Sequence, residues 1–453
     1  MGSLLIKGGT VATPSGTMKA DVLVKNGTIA AIGQGLSGDE TLEAAGKLVL
    51  PGGIDAHTHM AMPFGGTVSC DDFADGTACG AFGGITTIID FAIQGKGQSL
   101  ADTIAKKRLD ADGKVHVDYG LHIAITDLTE AVMKEIPATI EAGVPTFKCF
   151  MTYPGMAVDD YTLFRVLKTA SSSGGRVSVH AENLSMITGG VAALLAAGKT
   201  DPWYHAESRP DYVEAEAIAR AIMWAEEAGA ELYVVHLSTA KGLELVKAAQ
   251  ARGARIMAET CPQYLTLTDE KYREPDFGGA KYVMSPPLRK AADRDALWKG
   301  LADGSVSTVA SDHCPFTMEQ KKMGLGDFSK IPNGGPGTEV ILPVLYSEGV
   351  LKDRITLEQL VQAFSSNPAS IFGLPSKGAV EPGKDADIVV FDPAREWTLS
   401  EKELHTKAGF SLHEGLKVRG KAESVLSRGA FVVKGGRLVG AAGSGKFVAR
   451  SKV

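Results

Sequence analysis

The chain has 453 residues, 44% of them hydrophobic and 22% charged, with a formal charge of −6 at pH 7. That is the balance of a globular protein long enough for one large core plus a satellite domain, and a mildly acidic surface with both signs interspersed excludes nucleic acid as the main partner. No apolar run is long enough to span a bilayer, and the opening "MGSLLIKGGT" lacks the layout of a signal peptide, so a cytoplasmic protein with no membrane partner is expected.

The first fifty residues alternate with period two. "DVLVKNGTIAAIG" reads as two short strands joined by Asn26-Gly27, a dipeptide suited to the backbone of a tight hairpin. From Gly53 to Pro375 the rhythm changes. Short apolar strands ("GITTIIDFA", "HVDYGLHIAI", "VPTFKCFM", "GRVSVHAEN", "AELYVVHLS", "ARIMAET", "VSTVASDH") alternate with helices such as "VEAEAIARAIMWAEEAG", closed by a glycine where a left-handed cap belongs. About eight strand-then-helix units predict an α/β fold, a (β/α)8 barrel rather than an open doubly wound sheet. No GxGxxG follows the first strand, which weighs against a dinucleotide site.

Beyond the barrel, "DADIVVFD" and "GAFVVKGGRLVG" return to strand and hairpin, with Gly435-Gly436 at the turn. Two β-rich ends of similar texture around a different middle argue for one split domain. The expected organisation is a β-sandwich from residues 1–52 and 376–453 around a barrel of residues 53–375. The five cysteines form no C-x-x-C pair and are odd in number, so buried reduced thiols are expected rather than disulfides or a thiolate metal site.

The chemistry collects at strand ends. In "GGIDAHTHM", His57 and His59 are two apart and share a strand face. His180 closes "GRVSVH", His236 closes "AELYVVH", Asp312 follows "VSTVAS", and Lys148 lies near the end of "VPTFKCFM". A lone strand-end histidine is more often a hydrogen-bonded core residue than a ligand. Four of them and an aspartate, spread over four strands, are not explained that way, because a barrel brings these ends to one face. Imidazole and carboxylate without thiolate suit Zn2+, with Mn2+ as the other candidate. The set is too large for one open zinc and suits two divalent ions if an anion bridges them. An ammonium at Lys148 would repel both ions. With its pKa lowered and carbon dioxide (bicarbonate) added, Lys148 becomes a carbamate (N6-carboxylysine), an anionic two-oxygen bridge.

These residues, together with "GGIDAHTH…MPFGGT", "FKCFMTYPG", "VHAEN", "MSPPLR", "SDHCPF" and "IPNGGPG", resemble in order and over nearly the whole chain the dihydropyrimidinase/hydantoinase family of cyclic amidohydrolases. The resemblance implies that His57, His59 and Asp312 hold one metal and His180 and His236 the other, with carbamylated Lys148 and a hydroxide between them. It makes Asp312 the general base and acid and Tyr153 the donor to the oxyanion. Ser285 and Asn333 become contacts to the cyclic substrate. The implied reaction is hydrolytic ring opening of 5-substituted hydantoins or 5,6-dihydropyrimidines to N-carbamoyl amino acids, and the implied assembly is a homotetramer.

Ala61 stands where many members carry an acid and Pro154 where many carry a base, so substrate preference is left open. Met60 and Ala61 offer no charge for a substrate carboxylate, which argues against dihydroorotate. Allantoinase is the near alternative. A non-catalytic cytoskeletal adaptor of the same fold is the distant one, since such proteins lack the ligands.

Overall fold

The computed structural model describes residues 2–453. Its centre is an eight-stranded parallel sheet: Gly53–Thr58, Ile85–Ile93, Asp118–Ala124, Thr146–Phe150, Arg176–His180, Leu232–Val234, Ile256–Thr260 and Thr308–Val309, each beside the next. A parallel bridge between Thr58 and His313 joins the first strand to the chain just past the last. Strands in such a sheet are covered on both faces and so read as continuous apolar runs. Ile85–Ala92 is buried at every position.

Helices return the chain between strands and start on side-chain caps. Ser99, Thr129, Asp159 and Thr239 each accept a backbone N–H in the first turn of the helix that follows. Gly229 ends the long helix Asp211–Ala228 in the left-handed region, φ 64°, as its place in the sequence predicts.

The two ends of the chain meet in one nine-stranded mixed sheet. The strand Leu48–Pro51 lies between Leu4–Thr13 and Ile388–Thr398. Asn26 and Gly27 both have positive φ (54° and 82°), as do Gly435 and Gly436 (57° and 73°), the backbone that a two-residue hairpin with matching twist requires. Ile6, Val22 and Val49 from one end pack with Ile388, Val390 and Leu426 from the other in a core of their own.

Two features tie this sheet and the tail to the foot of the barrel, away from the ends that carry the chemistry. Lys377 bridges buried Asp118, in the third barrel strand, to Asp387. The last residues run beneath the strands: Tyr119 N–H donates to the Lys446 carbonyl (2.9 Å), Val448 to Tyr119 (2.8 Å), and Arg450 to Gly143 (3.0 Å). All five cysteines are free. Among the described residues, no helix is long and apolar enough to cross a membrane.

Candidate active site

His57 sits in the first barrel strand and His59 one residue beyond its end, with ring centroids 5.1 Å apart. Lys148 lies inside the fourth strand and His180 at the end of the fifth. His236 and Asp312 fall two and three residues past strands that end at Val234 and Val309, rather than on them. At both positions the backbone has turned into the left-handed region (φ 38° and 51°), which is uncommon for a residue with a Cβ. Five different strands thus deliver their groups to one mouth.

The donors face one another closely. His57 Nε2 is 3.0 Å from Lys148 Nζ and 3.2 Å from Asp312 Oδ1, and His59 Nε2 is 3.3 Å from the same oxygen. His180 Nδ1 and His236 Nε2 lie 2.9 Å apart. One donor atom each from His57, His236 and Asp312 falls within 4.8 Å of the others. Burial, with the Lys148 charge added, holds His57 and His236 well below the ordinary imidazole value. His59 and His180 are lowered too, by burial first. Neutral imidazoles are what a metal needs.

Burial also brings the Lys148 amine down to about 8, against the opposing pull of Asp312 and Glu259. Its surroundings are the faces of Phe91 and Phe150, 4.2 and 5.0 Å from Nζ.

Two carboxylates that the strand-end pattern did not single out hold the imidazoles from behind. Glu259, in the seventh strand, is 2.7 Å from His57 Nδ1, and its other oxygen accepts from Tyr233. Glu182 is 2.8 Å from His180 Nε2 and is itself held by Arg209. Each takes the ring nitrogen turned away from the mouth, so His57 presents Nε2 and His180 presents Nδ1 to it. Burial pushes the Glu259 carboxyl up to about 8, whereas at Glu182 the same burial is outweighed by Arg209 and His180. A sequence signal existed for both. Glu182 follows His180 by two, and the seventh strand was the one late strand with no assigned group.

Lys148, His59, His180, His236, Asp312, Tyr153, Ser285 and Asn333 line one narrow cavity of about 30 Å³, with His57 packed against its floor. Tyr153, held at φ 69°, meets the His180 ring edge-on at 5.2 Å, and burial raises its hydroxyl so that it stays a donor. Asn333 Nδ2 donates to Ser285 Oγ at 2.9 Å. Phe64, Tyr153 and Asn333 also form the wall of a second cavity of about 730 Å³, whose lining is mostly apolar (Leu184, Ile187, Val191 and Phe328 among it) but includes Arg209 and Lys330. Pro154 lines this larger space, whereas Ala61 does not. His313 is not part of the narrow cavity and lies 3.0 Å from buried Asp71.

A parallel barrel whose mouth gathers four imidazoles, a carboxylate and a buried lysine has the architecture of hydrolases that use divalent ions. The chain belongs to the amidohydrolase family, whose profile matches residues 48–430. It is 47% identical over 454 residues to a D-hydantoinase of Geobacillus stearothermophilus, covering 99% of this chain and 96% of the relative. A crystal structure of dihydropyrimidinase from Brevibacillus agri superimposes with a TM-score of 0.98 at 45% identity, covering 99% of both chains. An L-hydantoinase (dihydropyrimidinase) structure from Arthrobacter aurescens is more distant, with a TM-score of 0.90 at 32% identity, covering 99% of this chain and all of the other.

Proposed function

We propose that this chain opens 5-substituted hydantoins, and more slowly 5,6-dihydropyrimidines, by hydrolysis to N-carbamoyl amino acids, with preference for the D-enantiomer. The observation that carries the reading is the pairing of cavities. The narrow one takes the polar ring among the groups expected to do chemistry, and the wide, mostly apolar one, which shares Phe64 and Tyr153 with it, takes the ring substituent. Dihydrouracil would leave the larger space empty. The D preference follows the curated relatives, among which D-hydantoinases are 42–47% identical.

The donor set fits two divalent ions, most simply Zn2+. His180 Nδ1 and His236 Nε2 face each other at 2.9 Å, the other His236 nitrogen has no partner, and His57 turns Nε2 on the Lys148 amine. His57, His59 and Asp312 would hold one ion, His180 and His236 the other, with Lys148 as its carbamate between. When bound, such ions would supply hydroxide at neutral pH by lowering the pKa of a bound water from ~15.7 toward ~7.

The chain's own groups do the rest. Ser285 and Asn333 orient the cyclic amide so that one carbonyl carbon faces the attacking water. Asp312 Oδ takes the proton from that water and delivers it to the ring nitrogen as the C–N bond breaks. The Tyr153 hydroxyl, kept protonated by burial, donates to the carbonyl oxygen as it gains negative charge. A cytoplasmic homotetramer belongs to the same reading. Tyr161, Tyr212 and Met223 are exposed, apolar surface that subunit contacts would cover.

The test is kcat/KM for both enantiomers of a 5-aryl hydantoin, for dihydrouracil and for allantoin, with enzyme loaded with zinc and bicarbonate. The D-aryl hydantoin should lead. Preference for dihydrouracil would overturn the role of the wide cavity, and turnover of allantoin alone would overturn the substrate class.

A further inference from the structure

Lys321 ends the short helix Met318–Lys321, and its side chain is wholly buried without a carboxylate partner. Its ammonium donates instead to three backbone carbonyls: Val283 at 2.8 Å, Pro332 at 2.7 Å and Gly334 at 2.7 Å. Pro332 and Gly334 flank Asn333, and Val283 lies two residues before Ser285. Gly334 N–H adds a direct link to the Val283 carbonyl at 3.0 Å. Three protons meet three acceptors from two loops that are fifty residues apart in sequence and touch across the mouth.

We infer that Lys321 is a positioning residue for the substrate ring: its ammonium clamps the Val283–Ser285 and Pro332–Gly334 segments together, and so sets the spacing of Ser285 and Asn333 over the narrow cavity. The inference rests on the reading that Ser285 and Asn333 contact the ring. Lys321 does not line that cavity, so it acts through these two residues and not on substrate.

The geometry selects a cation. Burial lowers the amine to about 7. A neutral amine, however, has two N–H donors and would turn a lone pair toward the third carbonyl, so the site is built for the charged form. A buried lysine serving only as filler would be replaceable by methionine, which has nearly the same length and no donors. With Met at 321, three carbonyls lose their partner and the two loops lose the tie that fixes their separation.

The experiment compares K321M, S285A, N333A and K321M/N333A with the wild type, reading kcat, KM, bound metal and thermal midpoint. K321M should raise KM for the hydantoin about tenfold or more, with kcat changed far less and metal content unchanged, since misplaced contacts to the bound ring weaken binding first. In the N333A background the same substitution should cost much less, because the clamp then has less to position. If N333A and S285A both keep wild-type kcat/KM, the ring-contact reading fails whatever Lys321 does. If they are impaired while K321M keeps the wild-type KM, or shows its full effect in the N333A background, the assignment of Lys321 is overturned. A K321M chain that does not fold shifts the decision to K321A purified with propylammonium: KM recovering as that cation is added upholds the clamp, and KM indifferent to it overturns it.

Discussion

At the residue scale, the site was readable wherever a side chain is unusual for its place. His57, His59, His180 and His236 stand at the ends of apolar strands, and Lys148 lies inside one, where an uncompensated charge is expensive. Glu259 was not readable in the same way, because a strand-end glutamate gains its meaning only from the imidazole that a neighbouring part of the barrel turns toward it, here His57 at 2.7 Å. In the proposed metal site it would hold Nδ1–H of His57 and leave Nε2 free for an ion. Glu259→Gln keeps the shape and loses the acceptor strength. It is expected to lower retained metal about 10- to 100-fold at a fixed chelator concentration, while the fold, followed by circular dichroism, stays as in the wild type. Wild-type metal retention in that variant would show that the contact is packing alone.

At the element scale, the hairpins and helices were legible because their turn residues name a backbone conformation. The late barrel was less so. "VSTVASDH" reads as a strand running to Asp312, but the ladder stops at Val309, and Asp312 reaches the mouth through a left-handed turn. Closure here depends on backbone bonds around His313, whose carbonyl accepts from His59 N–H at 2.8 Å. The opening of the first strand is constrained from the other side. A Cβ at Gly53 would clash with Cζ of Phe364, in a buried ring that has little room to yield. Gly53→Ala should therefore cost about 1–3 kcal/mol by overpacking, seen as a lower denaturant midpoint, and it should reduce kcat/KM because the displaced strand carries His57. Adding Phe364→Leu should restore part of both. A Gly53→Ala enzyme with full activity would mean that the strand's foot and its catalytic end move independently.

At the scale of the whole molecule, the terminal sheet was legible from period-two patterning at both ends. The path of "KFVARSKV" under the barrel was not, since it is set by backbone bonds to Tyr119, Gly143 and Gly174 rather than by any pattern of its own. Folding also fixes a set of buried neutral histidines, and this makes stability depend on pH. His413, 2.9 Å from Thr266 Oγ1, is lowered by burial to about 4, and His205, whose Nε2–H donates to the Met284 carbonyl, is lowered by burial and by Arg209 to about 3. Both folded values lie below the ordinary 6.5 of an unfolded chain. Protons therefore prefer the unfolded state, so the stability these groups contribute is whole above pH 6.5. It declines as pH falls and is gone once pH passes below about 4 for His413 and about 3 for His205. Each tenfold difference in proton affinity is worth about 1.4 kcal/mol, so His413 alone removes on the order of 3 kcal/mol by the end of its window. His413→Gln keeps a hydrogen-bonding side chain and cannot titrate. Its urea midpoint should start below the wild type at pH 7.5 and draw level with it, or pass it, by pH 4. Parallel curves for the two proteins across that range would mean that His413 does not drive the acid limb.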